Sequence, residues 1–261
     1  MASIRWRARA LTAWGEEAAV EEALFGDGDL ERRPREVLPG VVHVPAWLSL
    51  RQQRWIVDRF GEWGRGPIAP HSPLVGGHPM SVRMVSLGLA WGPGGWGERF
   101  GAEGVAPLPL PGWLVRLSRD ALRRAFDRRI APTWPGLEAE RLEAWAGAYA
   151  PDVALVNYYP PGARMGMHQD RDESSSDPVV SLSIGDTALF RAGNTQTRSR
   201  PYTDLRLASG DLIVFGGPSR YMFHGVPKIL ADSAPPECGV RGGRVNITVR
   251  CTGRATGGGN G

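Results

Sequence analysis

The segment NYYPPGARMGMHQDRDE, residues 157–173, sets His168 and Asp170 two apart and follows them with Asp172 and Glu173, in a chain holding five histidines. Side chains two apart on extended backbone point to the same side. An imidazole and a carboxylate therefore share a face here, either to hold a metal or to share solvent. A second histidine, His224, lies in DLIVFGGPSRYMFHGVPK, after a strand-like run and a Gly-Gly-Pro turn and beside Tyr221 and Phe223. Alone, such a histidine reads as a satisfied core residue. Joined to a His-x-Asp pair, it makes the two-histidine, one-carboxylate set with open positions that marks non-haem Fe(II) oxygenases. Zinc would accept the same donors. Cys238 and Cys251 are the only cysteines, too few for a thiolate site, so His and carboxylate must hold any metal.

The run GRVNITVRC adds a second chemical feature. In a strand, Arg244, Asn246, Thr248 and Arg250 lie on one face and Val245, Ile247 and Val249 on the other. The ordinary reading is a half-buried strand with a wet face. Beside the His-x-Asp pair, the two arginines offer more: guanidinium forks match carboxylates, so the pair can grip a dianion at both ends. A zinc site gives no reason for them. Asn157 and Tyr159 share a face in the same way and add neutral donors.

These side chains need a scaffold of strands. From residue 152 the chain shows short β-forming runs separated by turns: VALVNYY, VVSLSIG, TALFRAG, LRLASGDLIVFGG and RVNITVRCT. That spacing predicts a sandwich or jelly roll. Upstream, LSLRQQRWIVDRFGEW carries Leu48, Trp55, Ile56, Phe60 and Trp63 at helical spacing, with Ser49 as cap. LVRLSRDALRRAF and GLEAERLEAWAGAYA read as two further amphipathic helices. MSVRMVSLGLAW reads as a strand, and the Gly- and Pro-rich GPGGWGERFGAEGVAPLPLPGW as a loop or lid. The expected class is α+β with a mainly β core, a double-stranded β-helix (jelly roll) flanked by helices. Residues 1–40 are expected to be a surface arm and 253–261 a disordered tail.

Bulk properties narrow the setting. With 261 residues, 42% of them hydrophobic, the chain can bury a real core. No run approaches the ~18 apolar residues of a membrane span, and the N-terminus lacks the apolar core of an export signal, so a cytoplasmic location is expected; a monomer is expected as well. A net charge of +4 and a pI near 9.5, almost all from arginine, permit a nucleic-acid partner without demanding one.

The motifs NYYPPGARMGMHQDRDE, VVSLSIGDTALF, DLIVFGGPSRYMFHGV and RVNITVR, in that order, resemble those of the AlkB family of Fe(II)/2-oxoglutarate-dependent dealkylases. The resemblance covers about residues 80–252. It implies that His168, Asp170 and His224 bind Fe(II), and that Asn157, Tyr159, Arg244, Asn246 and Arg250 hold 2-oxoglutarate, with O2 as co-oxidant. It makes 151–252 the oxygenase core and 41–150 a helical support with a nucleotide-recognition lid. Trp91 corresponds to a lid aromatic that stacks on the alkylated base, and Asp172 to an acidic residue that meets it. A second lid aromatic falls to Trp96 or Phe100, and a contact to phosphate or base to Arg198 or Arg200. The implied activity is oxidative demethylation of N-alkylated bases in DNA, with RNA as a further substrate, releasing formaldehyde, succinate and CO2. Two alternatives stay open: an oxygenase for a protein or small molecule, and a non-catalytic jelly-roll binding module.

Overall fold

The computed structural model describes residues 33–92, 94–126, 134 and 137–254. Most of the expected arm and of the expected tail lies outside them. Strands β1 (Arg35–Leu38) and β2 (Val41–Val44) lead into helix α1 (Leu50–Trp63). Then come the hairpin of β3 (Leu74–Val75) and β4 (His78–Pro79), the strand β5 (Arg83–Leu87), and the hairpin of β6 (Ala90–Gly92) and β7 (Gly95–Gly97). Helices α2 (Gly112–Ala125) and α3 (Leu142–Ala148) follow. The chain then runs through β8 (Val153–Tyr159), β9 (Met165–His168), β10 (Val179–Gly185), β11 (Thr187–Ala192) and β12 (Thr203–Leu207). It ends in β13 (Leu212–Phe215), β14 (His224–Leu230) and β15 (Arg244–Arg250).

Seven strands make one sheet, ordered β1-β2-β13-β10-β15-β8-β5, and four make another, ordered β12-β11-β14-β9. From β8 onward the chain passes back and forth between the two. This is the expected jelly roll. The larger sheet is apolar outward and mixed inward, as period two requires. Val180, Leu182 and Ile184 of β10 and Val245, Ile247 and Val249 of β15 share a core with Ile56, Val57 and Phe60 of α1 and Leu114 and Leu122 of α2. Each such side chain contributes ~1.5–3 kcal/mol on burial. On the inner face Val179, Ile213 and Phe215 pack against Phe190, Ala192 and Val226 of the smaller sheet. Arg244, Asn246 and Arg250 point into the same space and are buried.

Helix α1 starts where its cap residues put it. The Ser49 N–H donates to Gln52 Oε1 at 2.8 Å, and the Gln52 N–H donates to Ser49 Oγ at 3.3 Å, the reciprocal arrangement of a capping box. The expected helix over 136–150 is shorter, a 3-10 turn at Ala139–Arg141 and then α3. The passage expected as a loop contains β7, whose Trp96 pairs with Trp91 of β6. The larger sheet also reaches beyond 151–252. β2 pairs with β13 and β5 with β8, which satisfies backbone groups that would otherwise stand open at the edges of β13-β10-β15-β8. Among the described residues no helix is long and apolar enough to cross a membrane.

Candidate active site

His168 closes β9 and His224 opens β14, and the two are direct partners in the antiparallel register. Their ring centroids lie 4.4 Å apart. Gly225 permits this approach: a Cβ there would sit 2.8 Å from the Met165 carbonyl oxygen and 2.9 Å from that of Gly166. Asp170 follows the end of β9. Its Oδ1 is 3.7 Å from His168 Nε2 and its Oδ2 3.8 Å from His224 Nε2. Those separations are too long for hydrogen bonds and suit donors grouped about a common cation. All the ligand atoms fall within 4.8 Å of one another, and no other His, Cys, Asp or Glu group converges in this way among the described residues. His168 Nδ1 lies 3.0 Å from the Gly166 carbonyl and His224 Nδ1 3.2 Å from that of Met222. These contacts assign the ring proton to Nδ1 and leave the Nε2 lone pair for a metal.

Electrostatics prepare the same donors. Burial acts to raise the Asp170 pKa, but Arg250, His224, His168 and Arg220 together outweigh it and hold the carboxyl below its usual range. Burial, helped by His168, pushes the His224 imidazole down to about 4. At neutral pH the buried pair is thus a carboxylate beside a neutral imidazole, the form that ligates.

A pH dependence follows for the metal-free protein. His224 takes up a proton near pH 4 in the fold and near 6.5 once unfolded. Between those values the unfolded chain binds more protons, so stability falls as pH falls. At about 1.4 kcal/mol per unit the loss is roughly 3 kcal/mol. Asp170 adds its own loss only below its ordinary value of 3.8. Urea unfolding in chelator at pH 7 and pH 4.5 should give a steeper drop for the wild type than for His224→Gln. Equal drops would refute the assignment.

On the inner face of the larger sheet, Arg244 is the cross-strand partner of Tyr159, and Asn246 of Asn157. The Arg244 guanidinium is buried, stands 5.2 Å over the Tyr159 ring, and donates from Nη2 to Ser183 Oγ at 2.9 Å. Among the described residues its Nε and Nη1 have no hydrogen-bond partner, nor do Arg250 Nε and Asn157 Oδ1. Unmet donors on a buried cation cost several kcal/mol unless an anion completes them. Arg244, Arg250, Asn157 and the His-Asp-His set all line one cleft of about 900 Å³. The residues present therefore fit a cation beside a small dianion.

Residues 40–250 match the 2OG-Fe(II) oxygenase superfamily. The chain is 36% identical over 240 residues to the alpha-ketoglutarate-dependent dioxygenase AlkB homolog of Caulobacter vibrioides, covering 89% of this chain and 97% of that protein. This chain belongs to the AlkB family.

It is 32% identical over 226 residues to the DNA N(6)-methyladenine demethylase ALKBH1C of Arabidopsis thaliana, across 82% of this chain and 49% of that one. The solved structure of OsALKBH1 superposes with a TM-score of 0.73 at 31% identity, covering 84% of this chain and 99% of that one. The protein is thus an Fe(II)/2-oxoglutarate-dependent dioxygenase, and the His168–Asp170–His224 geometry fits iron.

The outer residues of this AlkB-family cleft divide. Trp91 and Asp172 both line it, and the Trp91 indole N–H donates to Asp172 Oδ2 at 2.7 Å. Arg198 lines it too, with its guanidinium 5.9 Å over the Phe223 ring. Arg200 instead lies 5.5 Å over Tyr202. Neither expected second aromatic joins the cleft lining. The Phe100 ring packs on His71 at 4.4 Å and its backbone pairs with Val105. Trp96 is buried, with its indole N–H donating to Glu173 Oε1 at 3.0 Å. Both were expected from their place after Trp91, but Trp96 is buried against Glu173, and Phe100 lies beyond the hairpin, packed on His71.

Four contributors were missed. Ser181 and Ser183 receive Asn246 and Arg244, and their alternation inside the apolar VVSLSIG run was a legible signal. Glu173 and Arg220 form a buried ion pair at 3.1 Å. Nothing local sets them apart from solvated charges, since isolated Glu and Arg are mostly exposed.

Proposed function

We propose that this AlkB-family chain removes N-alkyl groups oxidatively from bases of DNA, with RNA as a further substrate. In this reading His168, Asp170 and His224 hold Fe(II), and Arg244 and Arg250 hold the carboxylates of 2-oxoglutarate with Asn157, Tyr159 and Asn246 beside them. Fe(II) and 2-oxoglutarate, when bound, supply the O2-dependent oxidation of the alkyl carbon, with succinate, CO2 and, for a methyl group, formaldehyde as products. The protein's part is placement. Buried arginines orient an anion next to the His-Asp-His set; Ser183 holds Arg244, and Asp170, Glu173 and Thr248 hold Arg250.

The observation that carries the substrate reading is the Trp91–Asp172 pair in the wall of the cleft that also holds the His-Asp-His set. An aromatic face beside a carboxylate suits a flat cation. Adenine methylated at N1 and cytosine methylated at N3 are flat cations near neutral pH, whereas the normal bases are neutral. A carboxylate ~4 Å from such a charge gains up to ~4 kcal/mol at an effective dielectric of 20, before desolvation and screening. About a third of that gives tenfold discrimination. Stacking on Trp91 adds ~1–3 kcal/mol with little regard to sequence, and base flipping is cheapest for an already weakened pair.

Asp172→Asn keeps an acceptor for the Trp91 indole while removing the charge. It should lower repair of 1-methyladenine and 3-methylcytosine about tenfold and leave neutral 3-methylthymine within about twofold. Succinate formation without substrate should persist. The three lesions, compared in one strand context, measure this directly, and an equal loss on all three would refute charge selection.

A further inference from the structure

We propose that Glu173 is a positioning residue that couples occupancy of the anion pocket to the β6–β7 hairpin carrying Trp91. The inference rests on the reading of Arg250 as a 2-oxoglutarate contact and of Trp91 as a base contact. Glu173 is buried at the centre of a hydrogen-bonded hub. Its Oε1 accepts from Trp96 Nε1 at 3.0 Å and from Arg250 Nη1 at 3.0 Å, and its Oε2 accepts from Arg220 Nη2 at 3.1 Å. Arg250 also reaches Asp170 Oδ2 at 3.1 Å, and Arg220 Nη1 donates to the Asp170 carbonyl at 3.1 Å. One buried carboxylate therefore touches both cations that brace the aspartate of the metal set.

The hairpin end of this hub is short and is anchored chiefly through its tryptophans, with Trp96 buried beside Met84, Val153 and Leu155. Strands β6 and β7 are three residues each, and Cβ atoms added at Gly92 or Gly94 would meet open space. Trp91 and Trp96 are cross-strand partners, so their indoles share a face. Those indoles reach the consecutive carboxylates Asp172 and Glu173. Arg250 is held through both Nη atoms, but its Nε has no hydrogen-bond partner among the described residues, and Arg250 lines the cleft. An anion taken up there holds the guanidinium in place, and with it the Glu173 oxygen that the Trp96 indole shares. The consequence is a hairpin latched more firmly when the pocket is filled. Linkage then requires that a base held by the latched hairpin tighten 2-oxoglutarate by the same factor.

The test uses the full chain loaded with Mn(II), so that no turnover occurs. Hydrogen exchange of residues 90–97 is followed with and without 2-oxoglutarate. Separately, a labelled single strand bearing one 1-methyladenine is titrated with and without it. In the wild type, 2-oxoglutarate should slow hairpin exchange and tighten the strand, each about fivefold or more. Trp96→Phe, which keeps the ring and removes the donor, should abolish both effects while the Kd for 2-oxoglutarate alone stays within about twofold of wild type. If Trp96→Phe does not fold, Glu173→Gln, which loses charge at the hub, should cut both effects at least by half. Undiminished coupling in the variant that folds, or no slowing of hairpin exchange in the wild type, overturns the proposal. A strand that fails to bind under any condition while hairpin exchange still responds would count against the substrate reading and not against the latch.

Discussion

Asp170→Asn should fail to turn over and fail to retain metal, by a margin well beyond that of changing an outer residue. Partners that merely orient metal ligands already cost ~10–100-fold when lost, and Asp170 is the sole carboxylate of the His-Asp-His set. A loss of roughly a thousandfold or more in succinate formation is expected, together with loss of Mn(II) stoichiometry in a direct titration. Asn is the informative substitution because Asp170 has a second duty. Its Oδ2 lies 3.1 Å from Arg250 Nη2 in a buried setting. Removing one partner of a buried pair typically costs ~3–5 kcal/mol, so Asp170→Ala mixes lost metal with lost fold. Asn keeps the volume and an acceptor oxygen near Arg250. An Asp170→Asn protein that still binds one Mn(II) per chain with wild-type affinity would sink the assignment of the metal set.

Arg244→Met should separate function from stability in opposite directions. Arg244 is almost fully buried, yet its Nε and Nη1 have no hydrogen-bond partner among the described residues, while its Nη2 donates to Ser183 Oγ. If the missing partner is a carboxylate of 2-oxoglutarate, truncation costs ~2–5 kcal/mol of cosubstrate binding. That corresponds to a rise of about 30- to several-thousand-fold in the 2-oxoglutarate requirement. The same change removes an under-satisfied buried cation and replaces it with a flexible apolar chain of comparable reach, which is neutral or stabilising for the ligand-free fold. Thermal melts without 2-oxoglutarate should therefore show Tm unchanged or raised. Adding saturating 2-oxoglutarate should raise Tm in the wild type and hardly at all in Arg244→Met. Unchanged 2-oxoglutarate affinity with weakened oligonucleotide binding would place this arginine's role with substrate instead.

Which side chains face the candidate site was legible because strand periodicity is local. Once RVNITVR is extended, Arg244, Asn246 and Arg250 must share a face opposite Val245, Ile247 and Val249, whatever the rest of the chain does. Charge type and spacing likewise marked His168 and Asp170 before any fold was known, and Ser49 marked the start of α1. Through-space partnership was another matter. That β2 and β5 close the sheet depends on which edges β13 and β8 leave open, a property of the assembled sheet. That His168 meets His224 ring to ring depends on the register of β9 with β14 and on Gly225 admitting a close approach. Glu173 shows the limit most clearly. In DRDESSSD it reads as one more solvated carboxylate, and Arg220 in GGPSRYMF as one more solvated arginine. They are buried only because the β6–β7 hairpin, the β13–β14 connection and the end of β15 bring Trp96, Arg220 and Arg250 to the same carboxylate. A charge can be taken out of water when partners from distant segments replace the water's hydrogen bonds, and only the tertiary structure supplies those partners.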